Sequence, residues 1–161
     1  MNSQRLSRYR TLAAALLTRA LYLRLGRLML ARTHARLRLG DIGPLMRFYA
    51  KDVQFHFPGE HSWSANLSDK RALEAWLERF ASTGLQLYAD EILISGPPWK
   101  TTVVIRGHDH LIDEQGTVVY ENRAVIWGSA SWGKLKRYEV YEDTQKVAAF
   151  DDYLQSRTSR S

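Results

Sequence analysis

Leucine, alanine and arginine dominate residues 5–39, and no proline interrupts them. Leu12, Leu16, Ala20 and Leu23 recur at helical spacing, as do Leu28, Ala31, Ala35 and Leu39, so the pattern predicts a helix. Gly40 suits its C-cap, and Asp41 can cap a short second helix with Pro44 in its first turn, covering "PLMRFYA". The rhythm then switches to alternation: Val53, Phe55 and Phe57 against Gln54 and His56, a strand stopped by Pro58-Gly59. Leu73, Trp76, Leu77 and Phe80 return to helical spacing behind a cap at Ser68 or Asp69.

From residue 85 onward the runs are strand-like. "LQLYADEILIS", "TTVVIRGHDHLI", "TVVYENRAVIWG" and "KLKRYEVYED" are separated by turn chemistry at Gly96-Pro97-Pro98, Asp113–Gly116 and Gly128–Gly133. The Pro-Pro pair offers no N–H to a sheet ladder and therefore marks a turn. A closing helix is expected over "TQKVAAFDDYL", followed by a polar tail at residues 156–161 that is expected to be disordered. Helices grouped early and consecutive strands late indicate an α+β fold with a curved, mostly antiparallel sheet.

Composition sharpens this in two places. The 161 residues suit one domain, and the absence of cysteine excludes disulfides, thiolate catalysis and cysteine-based metal sites. The net charge of +6 is unevenly distributed: residues 1–40 hold nine arginines, no lysine and no acid, while the remainder carries 14 basic and 17 acidic residues, a net of −3. The basic character thus belongs to one helical segment, and residues 1–19 read as a basic extension ahead of a domain at 20–155. That segment interleaves leucine and not the aromatics that stack on bases, which disfavours nucleic acid. Contact of residues 1–20 with a membrane surface is the comparable alternative, because Arg and Leu separate partly by face. No apolar run is long enough to span a bilayer, and a cytoplasmic protein is expected over a targeted one.

The order of elements, with "GDIGPLMRFYAKDVQFHFPG", "GPPWKTTVVIR", "YENRAV" and "WGKLKRYEVYEDTQ", resembles the SnoaL-like, polyketide cyclase-like branch of the nuclear transport factor 2-like superfamily, over residues 20–155. The resemblance implies a cone: helices packed into a bent sheet around an interior pocket, with homodimers common through the outer sheet face. It also implies that an acid near Asp143 serves as acid/base, as in the cyclases and the limonene-epoxide-hydrolase relatives. Those hydrolases have an Arg-x-Asp pair where this chain has Arg106-Gly107-His108, so the arginine is kept and the carboxylate replaced. The ketosteroid isomerase base would precede Pro58, but Phe57 stands there, which argues against steroid isomerisation.

The candidate catalytic set is Asp143, Arg106, His108 and His56. Two readings compete for Asp143: the pocket acid, or the cap of the last helix before Thr144. Arg106, His108 and His110 alternate along one strand and share a face, which is either the pocket or an ordinary solvated surface; Gly107 hints at a bulge. Tyr120 and Asn122 share a face with Ala124 and Ile126 and read as pocket wall. Phe55, Phe57, Trp63, Trp76, Trp99 and Tyr141 are the apolar ligand-contact candidates, each competing with a plain core role. The histidines show no His-x-x-x-His pair and there is no Gly-rich phosphate loop, so neither metal nor cofactor is expected. The expected function is binding of a small apolar, aromatic or polyketide-like molecule, with cofactor-free isomerase, cyclase or hydrolase chemistry as the catalytic form. A non-catalytic ligand carrier and a dimeric interaction domain are the alternatives.

Overall fold

The computed structural model describes residues 3–158, with side chains at 14 and 16–157. Ten elements follow in the order α1 (Ser3–Leu37), α2 (Gly43–Met46), β1 (Tyr49–Phe57), β2 (Ala65–Leu67), α3 (Lys70–Ser82), β3 (Gln86–Ser95), β4 (Thr101–Ile112), β5 (Val118–Ser131), β6 (Lys134–Tyr141) and α4 (Thr144–Thr158). The strands form one six-stranded sheet in the order β2-β1-β6-β5-β4-β3. All neighbours are antiparallel except β1 and β6, which run parallel.

The fold is thus the expected α+β arrangement, with four local differences. The second helix is only four residues long, and Tyr49 and Ala50 belong to β1, where both are buried. β2 was not legible as a strand: three residues give too short a period, and it exists because it pairs with Phe55–Phe57 at the sheet edge. Helix α1 runs unbroken through residues 19 and 20, so no structural boundary separates the basic extension from the domain. Likewise α4 continues to Thr158, past the start of the expected tail, whose last three residues lie outside the described ones.

One face of the sheet carries the core. Tyr49, Val53 and Phe55 from β1, Leu73 and Leu77 from α3, Ile105 from β4 and Ile126 from β5 meet there, all buried. Rings do much of the filling: Phe55 stacks on Tyr138 at 5.7 Å between centroids and leans on Trp76 at 4.8 Å. Helix α3 starts where expected, with Asp69 accepting a hydrogen bond from the Ala72 amide at 2.9 Å. Helix α1 lies along β3, tied by the Tyr22 hydroxyl to Thr101 Oγ1 at 2.9 Å and by Arg38, whose guanidinium sits 4.4 Å over the Tyr88 ring.

Two glycines shape the long strands. Gly96 has φ +94° at the close of β3, and a Cβ there would come within 2.2 Å of the Lys100 carbonyl oxygen, so the turn before Pro97-Pro98 requires glycine. Gly107 lies in β4 opposite Ala89, where a Cβ would sit 2.1 Å from the Tyr88 carbonyl oxygen. The bulge that Gly107 hints at falls across from it: the β3 register slips between Ala89 and Glu91. The alternation of β4 itself survives, and odd-numbered residues from Thr101 to Leu111 are the buried ones.

Candidate functional site

That parity decides the site. Thr101, Val103, Ile105, Gly107, Asp109 and Leu111 face inward, so Asp109 is carried into the apolar interior, only 1% exposed. On the next strand Tyr120 and Asn122 point the same way and are both buried. Just beyond β6 stands Glu142, continuing the inward row of Tyr138 and Val140. Two carboxyl groups therefore line one cavity among Phe57, Trp63, Trp76, Phe80 and Phe150, with Thr83, Leu85 and Val147 closing it.

The polar floor is connected. The Tyr120 hydroxyl donates to Glu142 Oε2 at 3.2 Å, and Asn122 Nδ2 lies 3.0 Å from that hydroxyl, 3.3 Å from Glu142 Oε2 and 3.1 Å from the Asp143 carbonyl oxygen. Asn122 Oδ1 accepts the Arg123 amide at 2.9 Å, so the amide is held at both ends. The walls are aromatic: Trp76 stacks on Phe80 at 5.9 Å and meets Trp63 edge-on at 6.0 Å, while Tyr120 stacks on Phe150 at 4.4 Å. Outside, Arg79 lies 3.7 Å over the Trp63 ring, and Asp151 of α4 accepts the Ser62 amide at 2.8 Å, fixing the β1–β2 loop over the cavity.

Burial sets the proton affinities. Asp109 is pushed up to about 6, chiefly by desolvation, with its own amide and the charges of His108 and Lys146 pulling the other way. Glu142 is pushed up to about 8 by desolvation and by the Asp109 carboxylate, against the hydrogen bonds from Tyr120 and Asn122. Desolvation, with the two carboxylates nearby, also raises the Tyr120 hydroxyl, which stays protonated and acts as a donor. Near neutrality the pair holds one proton, the arrangement that separates a base from an acid.

Two residues lining this space each have a polar atom without a partner. Asp109 Oδ1 and Trp63 Nε1 are buried without a hydrogen bond among the described residues, one an acceptor and the other a donor. The cavity proper has about 30 Å³ of free volume, room for a water or two; with its mouth, the space between the lining side chains is about 340 Å³. That free volume is smaller than an organic molecule occupies.

The expected catalytic residues fall elsewhere. Asp143 is exposed and its Oδ1 accepts the Gln145 amide at 3.1 Å and the Lys146 amide at 3.4 Å: it caps α4, and the inward position belongs to its neighbour Glu142. Arg106 and His108 do share a face, but the outer one, where Arg106 Nε pairs with Glu91 at 3.2 Å and His108 Nδ1 with Asp90 at 3.0 Å. His108 and His110 both stack on Tyr88, at 5.1 and 5.4 Å. His56 is an exposed outward residue of β1. The structure thus does not bring these four together.

The ligand-contact expectations divide. Phe57, Trp63, Trp76 and Tyr120 line the cavity, and Asn122 lies buried beside Tyr120 and Glu142. Phe55 is wholly buried core. Trp99 is 60% exposed on the β3–β4 turn, tilted against Trp132 at 6.0 Å, and Tyr141 points outward to bond Glu139. Asp109 and Glu142 escaped sequence reasoning, although a signal existed: each shares parity with inward apolar neighbours, Val103 and Ile105 for Asp109, Tyr138 and Val140 for Glu142.

Helices set against this bent six-stranded sheet, closing an interior cavity, define a nuclear transport factor 2-like fold. Bal32a, from a soil-derived mobile gene cassette, superposes with a TM-score of 0.66 at 14% identity, covering 80% of this chain and 98% of that one. An NTF2-like protein from Burkholderia pseudomallei gives 0.63 at 15% identity, over 76% of this chain and 93% of its own. TerC, co-crystallised with polyporic acid, gives 0.61 at 19% identity, covering 74% and 92% respectively. These likenesses show the fold. No family model matches the sequence, and no curated protein matches it either. No helix among the described residues is long and apolar enough to cross a membrane. Nor do the described residues contain a group of three or more metal-ligating side chains.

Proposed function

We propose that the cavity binds a small, mostly apolar, planar molecule and moves a proton on it without a cofactor, with Asp109 as base and Glu142 as acid. One observation carries this reading: two carboxyl groups with separated proton affinities line a single aromatic cavity. The Asp109 carboxylate takes a proton from a carbon next to a carbonyl, while Glu142 gives its proton to the carbonyl oxygen. The resulting enol collapses by the reverse transfers, at the same carbon or at a conjugated one. Trp63 Nε1, unpartnered among the described residues, supplies a donor for a ligand oxygen. The SnoaL-like resemblance agrees with enolisation and aldol-type closure, and TerC, which shares the fold, is co-crystallised with an organic molecule, polyporic acid.

The test is deuterium uptake from D₂O into a panel of enolisable aryl ketones and hydroxyquinones, followed by NMR. Uptake should be fastest between about pH 6 and 8, where Asp109 is ionised and Glu142 protonated. Asp109→Asn should slow it by roughly 10²–10⁴-fold. Ligands that bind, with no exchange above background, would leave the carrier reading in its place.

A further inference from the structure

Helix α1 has two apolar sides. One meets the body: Leu30, Thr33, His34 and Leu37 are buried, with Leu23 and Gly26 half-buried beside them. On the opposite side, at about 3.6 residues per turn, Leu17, Leu21, Leu25 and Leu28 form a stripe. These four are 71%, 58%, 47% and 45% exposed, and Met29 at its margin is 47% exposed. Residues 16–21 are exposed all round, and Leu16 lies off the stripe; among the described residues the Tyr22 hydroxyl ties the helix to the body at Thr101. A patch of this kind on a folded surface calls for a partner.

The charge around it selects that partner. Arg24 and Arg32 lie among the leucines and Arg27 further round the helix, while Arg19 lies on the body-facing side; all four are exposed and none is ion-paired among the described residues, and residues 1–40 contain no acid. A second copy laid along the stripe would set arginines against arginines. A docked helix would need an unbroken seam at alternating three- and four-residue steps, yet Arg24 and Arg32 occupy the steps that continue it from Leu21 and Leu28. A fluid surface tolerates both: leucines sink among acyl chains while arginine stems stretch to the phosphates, which guanidinium binds bidentately.

We propose that the outward face of α1, centred on Leu17, Leu21, Leu25 and Leu28, seats the protein on an anionic lipid bilayer, leucines buried and arginines at the headgroups. The remainder of the chain, with its net charge of −3, is held away from the anionic surface. This attachment is peripheral and does not depend on what the cavity binds.

Flotation of the full chain with phosphatidylcholine vesicles, with and without about 30% phosphatidylserine, tests it. The chain should partition at least about tenfold better onto the anionic vesicles at about 0.1 M salt, and lose most of that preference at about 0.5 M. Leu21→Glu, Leu25→Glu and Leu28→Glu together should lower binding about tenfold or more. Thermal unfolding should be unchanged, because these side chains face solvent. Leu93→Glu, at an exposed leucine on β3, should bind like the unaltered chain. Equal binding to both vesicle types, binding unaffected by the triple substitution, or no vesicle binding would overturn the proposal. So would a dimer in sedimentation equilibrium that the triple substitution dissolves while vesicle binding is absent, since that result assigns the stripe to a second copy.

Discussion

The two faces of β4 carry charged side chains one residue apart and put them to opposite uses. Outward, Arg106 and His108 meet Glu91 and Asp90 in pairs open to water. Inward, Asp109 has no ion-pair partner among the described residues: it lies in an aromatic cavity that also holds Glu142. The outer cluster looks richer, with opposite charges, stacked rings and histidines, but exposed pairs of this kind contribute little because solvent screens them. The inner cluster has fewer groups and much greater consequences, since desolvation separates the proton affinities of two like groups. Proton affinity here follows burial, and the density of charged residues is a poor guide to it.

The largest effect should come from removing the inner charge. In the folded chain Glu142 keeps its proton to about pH 8, whereas an ordinary glutamate releases it near 4.5. Unfolding therefore releases a proton across that window, and stability declines as pH rises through it. Glu142→Gln should remove most of that decline, leaving the smaller part that the raised Asp109 carboxyl contributes below about pH 6. It should stabilise the protein by about 3 kcal/mol at pH 9 and by little at pH 4, read from urea midpoints at each pH. Equal pH profiles for the two proteins would mean that Glu142 is not desolvated.

Asn122→Leu should act in the other direction. It strips hydrogen-bond partners from Tyr120, Glu142 and the Asp143 carbonyl, and should cost about 2 kcal/mol in denaturant unfolding. A smaller effect is expected at His34, on the buried side of α1, with Nδ1 on the Leu30 carbonyl oxygen at 2.8 Å and Nε2 without a partner among the described residues. Burial lowers its proton affinity below the usual 6.5, with the Leu30 carbonyl opposing and Arg38 adding to the shift. The unfolded chain then takes up a proton that the folded one resists, so stability falls as pH drops below about 6.5. His34→Leu should remove about 1 kcal/mol of that acid loss by pH 5, measured as the change in unfolding midpoint between pH 7 and 5. Last, Arg106→Ala and His108→Ala should each shift stability by about 0.5 kcal/mol or less and leave ligand binding intact. If either cost more than Asn122→Leu, the contrast between the faces would be reversed.

How much of this could be read along the chain depends on the range of the physics involved. Helix α3 declares itself because Leu73, Trp76, Leu77 and Phe80 repeat at its own period and Asp69 caps it locally. The four long strands declare themselves by alternation, and the Gly96-Pro97-Pro98 turn by backbone chemistry that needs no neighbour. The wall positions Phe57, Trp63, Trp76 and Tyr120 were legible as aromatic residues bound for the interior. The expected acid Asp143 stands one residue past the inward Glu142, and the expected Arg106 and His108 stand three residues and one residue before the inward Asp109, on the opposite face of β4. A single step reverses the face of a strand, and a single step past its end converts a pocket acid into a helix cap.

The amino-acid sequence by itself determined the succession of helices and strands, the turns, and the concentration of arginine and leucine in α1, because periodicity, capping and composition are properties of neighbours. Only the tertiary structure decided that β1 runs parallel to β6 and that β2 exists. It also decided that a leucine face of α1 stays uncovered and that Asp109 and Glu142, 33 residues apart in the chain, line one cavity. Each of these depends on which surfaces meet across the sheet, and desolvation, the force that separates the two proton affinities, is created only when they do.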